Sequence, residues 1–208
     1  FLPEYRLLPE HPAPAAFDDC LAVWRQMIVR AEVLRLDATK ILLYGESAGG
    51  ALAAGMAQQL LAECDVRPVG QLLIYPVLDD RCGRYASMEQ SVDVAWPRSS
   101  NDQMWREYLR DITSPAAPLV PLRTDYSALA GLPPAYIEPQ EIDILHDEAV
   151  SYAEALTAAG ITVQLNEVSG SYHGFDAESD NAFVSRVIQR RLCAMKTMLE
   201  SSSRQPRP

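Results

Sequence analysis

Basic residues are the scarce component of this 208-residue chain: 18 Lys and Arg stand against 28 Asp and Glu, a formal net charge of −10. They form no run, so the chain offers no electrostatic footprint for a nucleic-acid backbone or an anionic membrane surface, and neither is expected as a partner. Cysteine is sparse as well. Cys20, Cys64, Cys82 and Cys193 lie far apart, with no CxxC and no histidine cluster nearby, which argues against a zinc site and reads as four reduced thiols. Nowhere do the ~20 apolar residues of a membrane span run together, and the first residues, FLPEYRLLPEH, have neither the basic nor the apolar region of a secretory signal. These absences lead to the expectation of a cytoplasmic protein. What is abundant is apolar material, 48% of residues against 22% charged, the balance of a globular chain. The length suits a single domain, 1–208, able to bury a core without disulfide or metal staples.

Apolar periodicity orders the chain. A helix is expected from Phe17, with Leu21, Trp24, Ile28 and Ala31 on one face. The short run from Ile41 to Tyr44 reads as a strand buried on both faces, and the Ala-rich stretch from Gly49 to Glu63 as a helix packed closely against a sheet. Gln71 to Tyr75 repeats the buried-strand pattern. Residues 78–131, broken by prolines, read as an insertion of loops with one helix around Asn101 to Arg110. A strand follows at Ala135 to Glu138, then a helix from His146 to Ala159, stopped by Gly160. Ile161 to Leu165 alternates like a half-exposed strand, and an amphipathic helix spans Asn181 to Leu199. Residues 201–208 read as a flexible tail. Strands alternating with helices predict an α/β fold with a mostly parallel sheet.

The sharpest feature is Gly45-Glu46-Ser47-Ala48-Gly49-Gly50, a GxSxG pattern between a buried strand and a small-residue helix. A turn this tight requires a strained backbone at the serine, and Gly45 and Gly49 are expected to remove Cβ atoms that would clash across it. Ser47 would then stand above the sheet as a nucleophile, which needs a base. Three histidines are available. His11 lies in a proline loop and His146 opens a helix beside acids, whereas His173 follows the last strand and precedes the last helix. The orienting acid belongs on the loop after the preceding strand, where Glu141, Asp143 and Asp147 stand. Asp147 suits a helix N-terminal charge; Asp143 is the choice and Glu141 the fallback. The chain order of serine, acid and histidine fits the pattern.

Around these residues the sequence resembles the hormone-sensitive-lipase-like group of α/β-hydrolases. YRLLPEHPAPAA, GESAGG, LLIYPVLD, LAGLPPAYI, EIDILHDEA and YHGF occur in that group's order across nearly the whole chain. The resemblance implies Ser47 as nucleophile, Asp143 as acid and His173 as base, with no metal or organic cofactor, acting on small apolar esters. It makes the insertion part of a cap and acyl pocket, with Trp96, Met104 and Trp105 as candidate walls, although aromatics at helical spacing also serve as plain core. Two departures stand out. The group's HGGG segment, which supplies half of the oxyanion hole, lies upstream of the YRLxPEHP loop, where this sequence has only Phe1 to Glu4; the expectation is an N-terminally incomplete hydrolase in which the Ala48 N–H is the remaining donor. Pro139-Gln140 stands where a glycine is more usual near the acid.

The expected activity is therefore ester hydrolysis through an acyl-enzyme. Two alternatives come with the same fold: a catalytically weak or silent protein that holds a small apolar ligand, and a lactone-opening or eliminating enzyme. Without earlier strands the Ile41 strand would present an unpaired edge, so homo-oligomerisation or aggregation is also expected.

Overall fold

The computed structural model describes residues 1–63, 66–89, 95–177 and 181–202. Along the chain run α1 (Ala15–Val29), α2 (Ala31–Leu34), β1 (Leu42–Glu46), α3 (Ala48–Glu63), β2 (Gly70–Ile74), α4 (Arg98–Tyr108), β3 (Ala135–Glu138), β4 (Gln140–Ile142), α5 (His146–Ala158), β5 (Val163–Leu165), β6 (Val168–Tyr172) and α6 (Ala182–Ser202). Short, mostly apolar runs make the inner strands β2 and β3, and burial on both faces explains why they carry no alternation. Four strands pair in the order β1-β2-β3-β5, all parallel, with Glu46 opposite Ile74 and Ile74 opposite Glu138 at their carboxyl ends.

Side chains alternate between two layers. Leu43, Leu73, Ala135 and Ile137 join one core with Trp24 of α1, Leu60 of α3 and Leu156 of α5. Leu72, Ile74 and Tyr136 face the other way, onto Ala194, Met195 and Met198 of α6. A third cluster, around Met88, Trp105, Val120 and Ile144, packs the insertion beneath the acid-bearing loop.

Three expectations change. The helix expected to run through Ala31 ends at Val29, and Ala31 belongs to the separate turn α2. β1 is not buried on both faces: among the described residues it is the outer strand, its burial alternates, and Tyr44 is 42% exposed. Residues 201 and 202 continue α6 instead of fraying, and 203–208 lie outside the described residues. Beside the free edge of β1 runs an apolar groove of about 380 Å³, lined by Trp24, Met27, Leu43, Leu52 and Met56 among others.

One pair of strands was not foreseen. β4 and β6 form a separate two-stranded parallel sheet, with Gln140 opposite Val168 and Ile142 opposite Tyr172. Among the described residues, no helix is long and apolar enough to cross a membrane.

Candidate active site

The turn between β1 and α3 is built by exclusion. A Cβ on Gly45 would stand 2.0 Å from the Gly49 carbonyl oxygen, and one on Gly50 would stand 2.6 Å from Pro76 Cβ, so only glycine lets the strand end, the helix start and the neighbouring loop meet. Gly49 is different from what its place in the pattern suggests: a Cβ there meets nothing within 4 Å, because its contribution to the crowding is its carbonyl. Ser47 between them is held at φ 55°, in the left-handed region that non-glycine residues avoid at a cost of about 1 kcal/mol or more. The surroundings hold it there. Its N–H donates to the Ile74 carbonyl at the end of β2 (2.9 Å), and its carbonyl accepts from Val77 N–H (3.2 Å) and Gly50 N–H (2.9 Å). Strain of this kind at a half-buried hydroxyl marks a functional position more than a structural one.

The acid and the base arrive together. Asp143 follows β4 and His173 follows β6, so the Ile142–Tyr172 register sets them side by side. His173 Nδ1 lies 2.8 Å from Asp143 Oδ2, and Nε2 lies 2.9 Å from Ser47 Oγ. A carboxylate here accepts from Nδ1–H, which leaves Nε2 as the acceptor for the serine hydroxyl. Asp143 is fixed in turn: its side chain is 1% exposed and Oδ1 accepts from Leu145 N–H at 3.1 Å. The imidazole rests edge-on against the Tyr75 ring, centroids 4.7 Å apart, and Trp96 lies on another side at 6.2 Å.

The remaining sequence candidates fall outside this constellation or support it. Glu141 is exposed and its carboxylate accepts from Gly170 N–H (2.7 Å), a bond that holds its pKa below the ordinary value. Asp147 sits in the first turn of α5 and binds Ser87 N–H and His146; burial would raise its pKa, but those hydrogen bonds outweigh burial and lower it. Ala48 opens α3, so its N–H is one of the first-turn donors without an intrahelical acceptor, next to Ser47. Trp96 donates to Asn101 (3.1 Å), whose amide reaches Cys82 Sγ (3.2 Å). Trp105 is instead buried in the insertion cluster, ring to ring with Tyr108, and Met104 packs on the same cluster. Among the described residues no group of His, Cys, Asp and Glu is arranged to hold a metal. Cys20, Cys82 and Cys193 are free thiols, and Cys64 lies outside the described residues.

Residues 1–177 match the family model described as the alpha/beta hydrolase fold. The chain belongs to that family. As an α/β-hydrolase it is 35% identical over 174 residues to an ethyl acetate hydrolase of Pseudomonas putida, an alignment covering 82% of this chain and 54% of the relative. It is 37% identical over 178 residues to the carboxylesterase NlhH of Mycobacterium tuberculosis, covering 83% of this chain and 54% of that one. Among solved structures, a bacterial heroin esterase superposes with a TM-score of 0.88 at 34% identity, covering 94% of this chain and 63% of the other. Esterase LipW of Mycobacterium marinum superposes at 0.87 with 36% identity, covering 93% and 61%. The chain thus spans about half the length of the curated relatives it matches.

Several residues at this α/β-hydrolase centre were not singled out in the sequence. Tyr75, Glu138, Asp176 and Arg191 form a hydrogen-bonded group behind the histidine. A signal existed: Glu138 ends an otherwise apolar strand, and a fully buried acid needs a partner.

Proposed function

We propose that this chain carries the catalytic centre of a serine hydrolase that cleaves small carboxylic esters, with Ser47 as nucleophile, His173 as general base and acid, and Asp143 as the orienting carboxylate. The observation that carries the reading is the continuous hydrogen-bonded line from Asp143 through His173 to a serine held at positive φ. The curated relatives named as an ethyl acetate hydrolase and a carboxylesterase support the ester class.

In the acylation step His173 Nε2 takes the Ser47 proton as Oγ attacks the ester carbonyl, and Asp143 stabilises the imidazolium that forms. The oxyanion that develops is met by the Ala48 N–H at the start of α3. The imidazolium then gives its proton to the departing alkoxide. Water, activated by the same nitrogen, releases the acid and restores Ser47. No metal or organic cofactor enters these steps. Trp96, beside the imidazole, is the candidate wall for the apolar part of the substrate; Trp105 and Met104 support it from the insertion cluster.

A fluorophosphonate probe tests the reading. Labelling of the protein that is abolished in Ser47→Ala and in His173→Ala, with turnover of p-nitrophenyl acetate lost in the same variants, supports it. An unlabelled parent protein, or equal labelling of Ser47→Ala, overturns it in favour of a silent ligand-binding role.

A further inference from the structure

The loop that carries His173 is tied on both sides to one buried acid. On the near side, Ser171 Oγ hydrogen-bonds to Gln140 Oε1 and to the Val168 carbonyl (2.5 Å), and Gln140 Nε2 donates to Glu138 Oε1 (3.3 Å). On the far side, Asp176, three residues beyond His173, accepts from Arg191 Nη1 at 2.5 Å. Arg191 reaches across from α6 and donates to Glu138 through Nη2 (2.6 Å) and Nε (3.1 Å). Tyr136 O–H donates to the other Glu138 oxygen at 2.6 Å. Glu138 therefore stands at the carboxyl end of the inner strand β3 as the common anchor of the two halves of the loop. The group also seats the imidazole directly. Tyr75, on whose ring His173 rests, donates its hydroxyl to Asp176 Oδ1 at 2.9 Å, and its backbone N–H donates to the Glu138 carbonyl at 2.9 Å.

Burial says that this arrangement is rigid. The side chains of Glu138, Arg191 and Asp176 are 0%, 5% and 9% exposed. Burial would lower the Arg191 pKa, but the hydrogen bonds and charges of Glu138 and Asp176 outweigh burial and raise it, so the guanidinium remains a cation. Two carboxylates on one fully buried fork leave little freedom, since breaking either pair strands a charge in the interior. None of these residues touches the reacting atoms.

We propose that Glu138, Arg191 and Asp176 form a positioning device for His173: Asp176 locks Tyr75 and the loop beyond the histidine, and the Glu138–Arg191 pair fixes Asp176 to the sheet, so that the imidazole keeps its bridge between Asp143 and Ser47. The inference rests on the serine-hydrolase reading for its kinetic consequence but not for its geometry.

Asp176 is the residue to vary, because it lies at the edge of the group and Arg191 keeps Glu138 when it is removed. With the full chain, Asp176→Ala is expected to lower kcat and the rate of fluorophosphonate labelling by about 10- to 100-fold, the scale of a slightly misplaced catalytic group, with KM changed less than about twofold. Asp176→Asn retains an acceptor for Tyr75 and is expected to recover most of that loss. The second readout is the low-field proton resonance of the His173 Nδ1–H, sharp in the parent, broadened or lost in Asp176→Ala and regained in Asp176→Asn. Labelling within twofold of the parent together with an unchanged resonance in Asp176→Ala overturns the proposal. So does a loss that merely follows the unfolded fraction in thermal melts. If the parent itself fails to label, the hydrolase reading falls, while the resonance series still decides the positioning role.

Discussion

A Cβ on Gly45 would sit 2.0 Å from the carbonyl oxygen of Gly49, inside any allowed contact, and that single distance sets the shape of the turn on which Ser47 stands. Three residues separate the two glycines, yet they are interlocked through backbone alone. Gly45→Ala is expected to force the helix start away from the strand end, with a loss of stability of about 3 kcal/mol or more, the range of severe packing conflicts. Gly49→Ala, whose Cβ has open space, is expected to change stability by less than about 1 kcal/mol. Urea titrations of the two variants separate these outcomes, although both positions carry the same letter in the motif.

The acid can be assigned by a paired substitution. Asp143→Asn removes the charge facing His173 Nδ1 and favours the wrong tautomer, with an expected fall in kcat of about 10⁴-fold. Glu141→Gln, whose carboxylate accepts from the Gly170 N–H and hydrogen-bonds with Ser169 away from the imidazole, is expected to leave kcat within about twofold. Ester turnover of purified variants at one pH decides between them; a larger loss in Glu141→Gln would transfer the role.

Glu148 is buried with one oxygen accepting from Leu78 N–H at 2.6 Å and Oε2 without a partner among the described residues. Burial first, and then the charges of Asp79 and Asp143, raise its pKa well above the ordinary carboxyl value. An acid whose folded-state pKa is raised costs nothing below its unfolded value near 4.5 and destabilises progressively as pH rises above that. Glu148→Gln should therefore raise the melting midpoint by roughly 2–4 °C at pH 7.5, the scale of about 1 kcal/mol in a chain of this size, and by much less at pH 4. Calorimetry at the two pH values checks the sign.

His146 joins the start of α5 to the turn before β6, hydrogen-bonded to Asp147 (2.9 Å) and Glu167 (2.8 Å). Burial would lower its pKa, but the two carboxylates outweigh burial and raise it above 6.5. A histidine raised on folding contributes stability that is fully present below its unfolded pKa and is lost as pH rises through the folded one. Both partners are partly exposed, so the contribution is screened to about 1 kcal/mol or less. Between pH 6 and pH 8 the parent should lose stability more steeply than His146→Gln, as read from denaturant midpoints.

Much of this was legible in the chain. β3 has the boundaries its sequence predicts, and β2, α3 and α5 differ from expectation by a few residues at most, because each couples a dense apolar pattern to a stop signal; the mostly polar α4, opened by Pro97, differs by three residues or fewer at each end. Ser47, Asp143 and His173 were reached from strand ends and chain order, and they stand in hydrogen-bonded line. What escaped was non-local. β4 and β6 are three and five residues of mixed polarity whose identity as strands comes only from pairing with each other. The exposure of Tyr44 depends on which strand is outermost, and no window of sequence encodes that. Trp105 and Trp96 are both aromatics of the insertion and pack on the same cluster, but only the fold separates the one buried within it from the one at its margin beside the imidazole.

The outer position of β1 among the described residues places the proposed nucleophile and the proposed acid–base pair on two separate sheets. Asp143 and His173 follow the two strands of the β4–β6 pair and Ser47 follows β1, and among the described residues β1, β4 and β6 each ladder onto one neighbour. A strand with a single neighbour opens locally at lower cost than an interior one. Separation of Ser47 from the Asp143–His173 pair is therefore expected early as conditions harden, ahead of the loss of the interior strands β2 and β3. In a urea series, ester turnover and serine labelling should fall before the circular-dichroism transition begins, and any segment that ladders onto the outer side of β1 should bring the two transitions closer together.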